Sequence, residues 1–273
     1  MTFDTPQSRS LLRGREVHFV PYVSPRDYRG VVKASRILWP LLKEVEGGLS
    51  TGAGVALAAL PPLLLRGKPA VYLESIARIE GPSLTGKVLS RLPKIGLYSQ
   101  HSDWARPPWR LGPSVLSQYR QEPSPPRPIR RVFVTLGTIK PYRFDRLIDT
   151  VLAYCRQNPD LDVLWQVGST SRTDLPGQVV EQLSDADFAA ALREHDLIVA
   201  HAGVGVAMNI LDQGHIPLLM AREHTHDEHV DDHQGEILEH LVGLGLAVRA
   251  EEALTDKSLL DHVRATQILR DAP

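Results

Sequence analysis

From residue 131 onward, short apolar runs alternate with longer stretches of helical spacing. The β-branched run 132–136 predicts a strand. Residues 144–156 place Leu147, Ile148, Val151 and Leu152 on one helical face. Residues 163–167 predict the next strand. Ser184, with Asp187 three residues later, reads as a helix cap, and that helix is expected to reach residue 193. A buried strand over 197–200, a helix from about Gly205 to Gly214 and a strand over 216–220 follow. A helix over 231–244, a strand over 246–249 and a last helix capped by Thr255 complete this half. The first half is patterned less completely. It predicts strands over 17–23, 69–73 and 95–98. Helices are expected over 30–46, kinked at Pro40, and over 53–66 and 83–92. Strands alternating with helices imply an α/β fold with mostly parallel, doubly wound sheets.

The 273-residue chain is long enough for two ordinary α/β domains. The Pro-rich, charged stretch 121–130 cannot build a core and is expected to be a linker. It separates a domain over 1–120 from one over 131–273. A formal net charge of −1 argues against a nucleic-acid partner, which would need a basic surface. Cys155 is the sole cysteine, so no internal disulfide can form; a core thiol and a reducing cytoplasm are expected. No secretory leader pattern opens the chain. The longest apolar run, 55–65, is broken by Pro61 and Pro62 and is too short to span a bilayer.

In open parallel sheets, ligands bind beyond the carboxyl ends of the strands. The residues just after each strand in the second half are small or polar. They are Gly137-Thr138, then Gly168-Ser-Thr170, then His201-Ala-Gly203-Val-Gly205, and finally a long loop ending Asp231-Asp-His-Gln234. Small residues admit close backbone approach, and free N–H groups at a helix start attract phosphate. The segment 201–205 reads either as a diphosphate-carrying turn or as a tight turn needing glycine only for packing. It fits neither the dinucleotide fingerprint nor the Walker pattern. The histidines at 224, 226, 229 and 233 invite a metal reading; a solvated polar lid is the alternative. Asp232, His233 and Gln234 suit a hydroxyl-rich ligand instead, since an amide donates and accepts at once.

In the first half, Ser50-Thr51-Gly52-Ala-Gly54 is a second phosphate-friendly turn. Glu74, directly after a strand, reads as a general base or as a carboxylate held by local N–H groups. Ser83 and Thr85 stand at a helix start. Trp39 lies on an apolar helical face and is expected in the core. Trp104 and Trp109 are expected to pack in the ordinary way, or else to line a cleft or meet a lipid.

Together, Val134-Thr-Leu-Gly-Thr138, Trp165-Gln166-Val-Gly168, His201-Ala-Gly-Val-Gly205 and Asp231-Asp-His-Gln234 resemble the C-terminal domain of family 28 glycosyltransferases. The likeness is to the donor-binding subunit of the dolichol-pathway N-acetylglucosaminyltransferase and its bacterial exopolysaccharide counterparts. Ser50–Gly54, Val71-Tyr-Leu-Glu-Ser75 and Gly81-Pro-Ser-Leu-Thr-Gly86 resemble the partner subunit, so the chain is similar to a fusion of the two.

That resemblance implies a GT-B fold, two Rossmann-like domains facing a cleft. It implies inverting transfer from a UDP-sugar to a polyprenyl-diphosphate-linked acceptor at the inner face of the membrane, in polysaccharide or lipid-linked glycan assembly. The protein would be cytoplasmic and peripheral, with no obligatory metal or other cofactor. Gly137, Thr138, Gln166, Gly168, His201, Gly203, Gly205, Asn209, Asp232, His233 and Gln234 would bind the donor. Thr51, Gly52, Gly54, Ser83 and Thr85 would face the acceptor, with Glu74 as the candidate base. Two departures stand out. Asn209 occupies a position where many relatives carry a ribose-binding Glu. The first half also starts late, without the relatives' first βα unit. Two alternatives therefore remain: a non-catalytic nucleotide-sugar-binding homologue and a UDP-sugar epimerase.

Overall fold

The computed structural model describes residues 1–5, 8–9, 12–24, 27–138, 140–229 and 233–271. The chain forms two compact units, Met1–Val115 and Leu116–Pro273. The boundary precedes the Pro-rich stretch, and the first three residues of the expected linker, 121–123, lie in a strand.

The N-terminal unit contains β1 (Thr2–Phe3), β2 (Phe19–Val20), α1 (Tyr28–Leu41), β3 (Gly48–Ser50), α2 (Ala53–Leu65), β4 (Ala70–Leu73), α3 (Leu84–Leu89), β5 (Ile95–Ser99) and β6 (Trp109–Leu111). β3 to β6 form a four-stranded sheet in chain order, every neighbouring pair parallel. β1 and β2 form a separate parallel pair. Both sheets share one apolar core, in which Val20 and Val23 meet Leu38, Ala56, Leu60 and Tyr72.

Local chemistry explains the helix limits. The Asp27 carboxylate accepts from the Gly30 N–H at 2.8 Å and caps α1. Pro40 lies inside α1, and the helix ends at Leu41 rather than at residue 46. Trp39 corrects the core expectation. Ala34 and Leu38 carry the buried stripe, while Trp39 points away and is 42% exposed. The Arg66 guanidinium covers its ring at 3.9 Å. Trp104 and Trp109 pack edge to face at 5.2 Å, in agreement with ordinary packing.

The C-terminal unit contains β7 (Tyr119–Pro123), β8 (Arg131–Thr135), α4 (Asp145–Gln157), β9 (Asp162–Gln166), β10 (Gln178–Val180), α5 (Asp185–Glu194), β11 (Leu197–His201), α6 (Val204–Asp212), β12 (Leu218–Met220), α7 (His233–Gly243), β13 (Val248–Arg249), α8 (Ala250–Ala253), α9 (Lys257–Arg264) and β14 (Thr266–Arg270). Six strands form one parallel sheet in the order β10-β9-β8-β11-β12-β13. Counted from β8, this is the doubly wound order third, second, first, fourth, fifth, sixth. α4 buries Leu147, Ile148, Val151 and Leu152, each contributing about 2 kcal/mol. Cys155 is buried on the same helix, and burial raises its thiol pKa.

Ser184 caps α5 as expected, accepting from the Asp187 N–H at 3.2 Å. Thr255 does not cap the last helix. Its hydroxyl turns back to the Glu251 carbonyl at 2.8 Å, and Asp256 caps α9 instead. β14 then pairs antiparallel with β7, an element absent from the local pattern. The Tyr119 hydroxyl donates to Asp212 at 2.6 Å and joins this ribbon to the end of α6.

Candidate functional site

The strand order reverses between β8 and β11, which pair directly. Chain leaving these neighbours diverges to opposite faces of the sheet and opens a crevice at their carboxyl ends. The loops at that crevice touch one another through glycine. A Cβ on Gly137 would sit 2.8 Å from the His201 ring, and one on Gly203 would sit 2.6 Å from its Nε2. A Cβ on Gly168 would meet the Gly137 carbonyl oxygen at 2.1 Å. Gly137 and Gly168 also hold left-handed φ angles of +80° and +57°. Packing around the imidazole therefore accounts for Gly137 and Gly203, and packing against the Gly137 carbonyl accounts for Gly168.

Gly205 differs. No atom lies within 4 Å of where its Cβ would stand, its φ is not left-handed, and it is exposed. Nothing in the described protein demands glycine there. It sits in the first turn of α6, where the turn 201–203 is closed by the Gly203 N–H donating to the His201 carbonyl at 2.8 Å. The first helical bond runs from the Ala207 N–H to the Gly203 carbonyl, and no side chain caps the helix. The N–H groups of Val204, Gly205 and Val206 thus precede the first helical hydrogen bond, at the positive end of the helix dipole. Asn209 is exposed one turn further along the same face, and Thr138 is exposed beyond β8.

Burial, reinforced by the Arg222 charge, pushes the His201 imidazole down to about 4, so the ring is neutral at pH 7. Among the described residues its Nδ1 is buried without a hydrogen-bond partner. Arg222, which the sequence reading overlooked, organises the corner. It is 1% exposed and donates to the carbonyls of Leu136 at 2.6 Å, Glu228 at 2.8 Å and Arg143 at 3.1 Å. Its guanidinium lies 4.7 Å from the Phe144 ring centroid. Burial lowers it to about 10, still charged at neutral pH. The available signal was an Arg two residues after a fully buried strand.

Residues 221–229, which follow β12, are held by internal hydrogen bonds. The buried Glu228 carboxylate accepts from Arg146 at 2.8 Å and from the Glu223 N–H at 3.1 Å. His224 and His226 lie on an exposed 3-10 turn. Among the described residues, no group of three or more His, Cys, Asp or Glu side chains is placed to hold a metal. Gln234 accepts from the Arg222 N–H at 3.2 Å, and His233 Nδ1 lies 3.0 Å from Glu236. Asp231 and Asp232 lie outside the described residues.

Two expected ligand contacts are used internally. Gln166 is buried, donates to Thr135 at 2.9 Å and accepts from the Leu183 N–H at 2.9 Å. It clamps the sheet instead of facing the crevice. Glu74 is 1% exposed and accepts four hydrogen bonds, from the Tyr72 hydroxyl, the Ser75 N–H, and the Ser83 N–H and hydroxyl. Both oxygens are committed, so the geometry matches the held carboxylate and not a free base. Ser83 also caps α3 by accepting from the Gly86 N–H, and Thr85 lies within that helix. Thr51 is exposed beside Gly52, whose φ of +143° needs glycine. Gly54 instead packs, its Cβ position lying 3.1 Å from Val23.

Residues 131–267 match the glycosyltransferase family 28 C-terminal domain. The UDP-N-acetylglucosamine--N-acetylmuramyl-(pentapeptide) pyrophosphoryl-undecaprenol N-acetylglucosamine transferase of Shewanella loihica is 26% identical over 231 residues. The match covers 78% of this chain and 59% of that relative, so the chain spans less than two thirds of its length. Acinetobacter baumannii MurG superposes with a TM-score of 0.60 at 15% identity, covering 96% of this chain and 83% of that one. The S. aureus MnaA-UDP co-structure gives 0.54 at 8% identity, covering 95% and 79%. At such identities these structures share the fold, a mixed α/β architecture with parallel sheets, as the sequence pattern implies. With its C-terminal unit matched from β8 into β14, the chain belongs to glycosyltransferase family 28.

Proposed function

We propose that this protein is an inverting glycosyltransferase that moves a hexose or N-acetylhexosamine from a UDP-sugar to a polyprenyl-diphosphate-linked acceptor. The observation that carries this reading is the uncapped start of α6 at the strand-order reversal, with Gly205 open to solvent. The name of the Shewanella relative, with a UDP-sugar donor and a pyrophosphoryl-undecaprenol acceptor, supports the same substrate class here.

In the reaction, an acceptor hydroxyl oxygen attacks the anomeric carbon as the bond from that carbon to the diphosphate oxygen breaks. The new bond forms on the opposite face, the hydroxyl proton passes to a base, and UDP leaves with the electron pair. Negative charge therefore grows on the diphosphate. The N–H groups of Val204, Gly205 and Val206 and the helix dipole stabilise that charge without a metal or other cofactor. Gly137 and Thr138 border the same diphosphate. Asn209 meets the ribose, without the charge assistance of a carboxylate. His233 and Gln234, with Asp232, hold the sugar.

We assign the acceptor to the inner membrane surface, in exopolysaccharide or lipid-linked glycan biosynthesis, with the protein cytoplasmic and peripheral. Among the described residues no helix is long and apolar enough to cross a membrane. α1 exposes Tyr28, Val32, Ile37 and Trp39 and carries Arg29, Lys33 and Arg36. Exposed apolar groups among basic ones suit an anionic bilayer. A Trp39→Glu variant is expected to lose co-sedimentation with phosphatidylglycerol vesicles.

The direct test supplies UDP-sugars with a polyprenyl-diphosphate-linked acceptor and follows product by mass spectrometry. Sugar transfer with release of UDP is the expected result. Conversion of the UDP-sugar without acceptor would mark an epimerase. UDP binding with no turnover would mark a binding protein.

A further inference from the structure

Arg222 carries a buried charge whose place in the sheet is informative. It lies two residues beyond β12 and is 1% exposed. Its guanidinium donates to the carbonyl of Leu136, the residue after β8. β11 runs between β8 and β12, so the side chain reaches across the carboxyl end of β11, whose last residue is His201. Burial first and the Arg222 charge second lower the His201 pKa, which sets the guanidinium within reach of that ring. The charge therefore stands at the floor of the crevice, beside the imidazole that Gly137 and Gly203 enclose.

The partners of this guanidinium are dipoles. Nη1 and Nη2 bond to the carbonyls of Arg143, Glu228 and Leu136, and among the described residues the buried Nε has no partner. The Glu228 charge acts on Arg222, but its carboxylate is turned to Arg146 at 2.8 Å and to the Glu223 N–H. The half-buried Glu223 carboxylate also turns to Arg146. Burying a guanidinium with no carboxylate bonded to it is costly. Tying carbonyls together does not by itself need a charge, since a neutral amide donates as well. None of the side chains assigned to the donor is Lys or Arg. Lys140 and Arg143, in the loop after β8, are exposed and paired with Glu181 and Asp145. Arg222 is thus the buried cation at a corner whose other attractions for an anion are backbone N–H groups.

We propose that Arg222 is a fixed counter-charge for the donor diphosphate, attracting from the crevice floor the anion that the α6 amides bind, without touching it. The amides supply directed hydrogen bonds, and Arg222 supplies net charge through a medium of low dielectric. The proposal rests on the transfer reading and adds to it a residue outside the set of donor contacts.

Two variants of similar side-chain length separate charge from packing. Arg222→Lys keeps a cation, Arg222→Met fills similar space without one, and both lose the planar fork of the guanidinium. UDP and uridine are titrated into each full-length variant at a temperature where circular dichroism shows it folded. Arg222→Met is expected to bind UDP about ten-fold more weakly than Arg222→Lys. Uridine, which carries no phosphate, is expected to bind both alike. A purely structural Arg222 predicts the reverse order or none, because Met buries no ion. Equal UDP affinities, or tighter UDP binding by Arg222→Met, would overturn the proposal, and so would equal losses of UDP and uridine. A second readout uses the unmodified, nitrogen-15-labelled protein and does not depend on the variants folding. The buried Nε–H resonance of Arg222 is expected to move on adding UDP and to stay on adding uridine, and an unmoved resonance with UDP bound would overturn the counter-charge alone. Absence of UDP binding to the unmodified protein would overturn the transfer reading and this proposal with it.

Discussion

The two units build similar elements to different completeness. In the C-terminal unit, six parallel strands run without a break, and the order reverses once, between β8 and β11. In the N-terminal unit, two strands and four strands stand apart on a common core. The unbroken sheet gathers residues from three loops at one crevice, so that Gly137, Gly168, Gly203 and His201 touch. In the N-terminal unit the expected base is instead absorbed by the structure, since Glu74 accepts four internal hydrogen bonds. A residue after a strand is thus a poor guide to chemistry by itself. Position relative to the order reversal, and whether its polar atoms are already used, separates the two cases.

The largest expected effect breaks the C-terminal corner. Arg222→Leu leaves the carbonyls of Leu136, Arg143 and Glu228 without their donor. This is expected to destabilise the C-terminal unit by about 4 kcal/mol, read by urea denaturation. The exchange pattern of the N-terminal unit should stay as it is.

A second variant separates packing glycines from the ligand-facing one. Gly205→Trp points into open space and is expected to leave the melting temperature unchanged. UDP affinity by calorimetry should fall by about 100-fold. Gly203→Ala drives a methyl into His201 and is expected to weaken UDP binding and lower the melting temperature together.

Acid sharpens the same contrast. His201 falls from 6.5 to about 4 on folding. Between those values the unfolded chain binds a proton that the folded chain refuses. Stability contributed by this group is therefore complete above pH 6.5, declines as pH falls to about 4, and is constant below that. Burial lowers His215 in the same direction. A His201→Gln variant should show a shallower loss of melting temperature across this window than the unmodified protein. An identical slope would remove His201 from the account. The smallest effect is local. Ser184→Ala removes the cap of α5 and is expected to cost about 1 kcal/mol in thermal unfolding.

The sequence disclosed most of the C-terminal sheet, because its strands are short apolar runs separated by capped amphipathic helices. Strands β8, β9 and β11 fall within a residue of the expected limits. What escaped depends on distant partners. β14 and β7 carry polar residues such as Gln267 and Glu122 and become strands by pairing with each other. β3, in a Gly-Gly-Leu-Ser context, reads locally as a turn and is held by β4. At the site, the turn around Gly203 was legible from small residues after a buried strand. The held-carboxylate reading of Glu74 was also legible, since a neighbouring N–H at Ser75 supplies one of its bonds; the internal use of Gln166 was not, because its partner at Leu183 comes from another loop. Trp39 failed for a related reason. Helical spacing marks an apolar stripe, but Ala34 and Leu38 already fill it.

The central claim is that backbone amides opening α6 grip a diphosphate. Titrating UDP into isotopically labelled protein and following amide resonances measures it directly. The largest shifts should fall at Val204, Gly205 and Val206, with smaller ones at Thr138 and Asn209. Saturable binding that leaves those three amides unmoved would contradict the account.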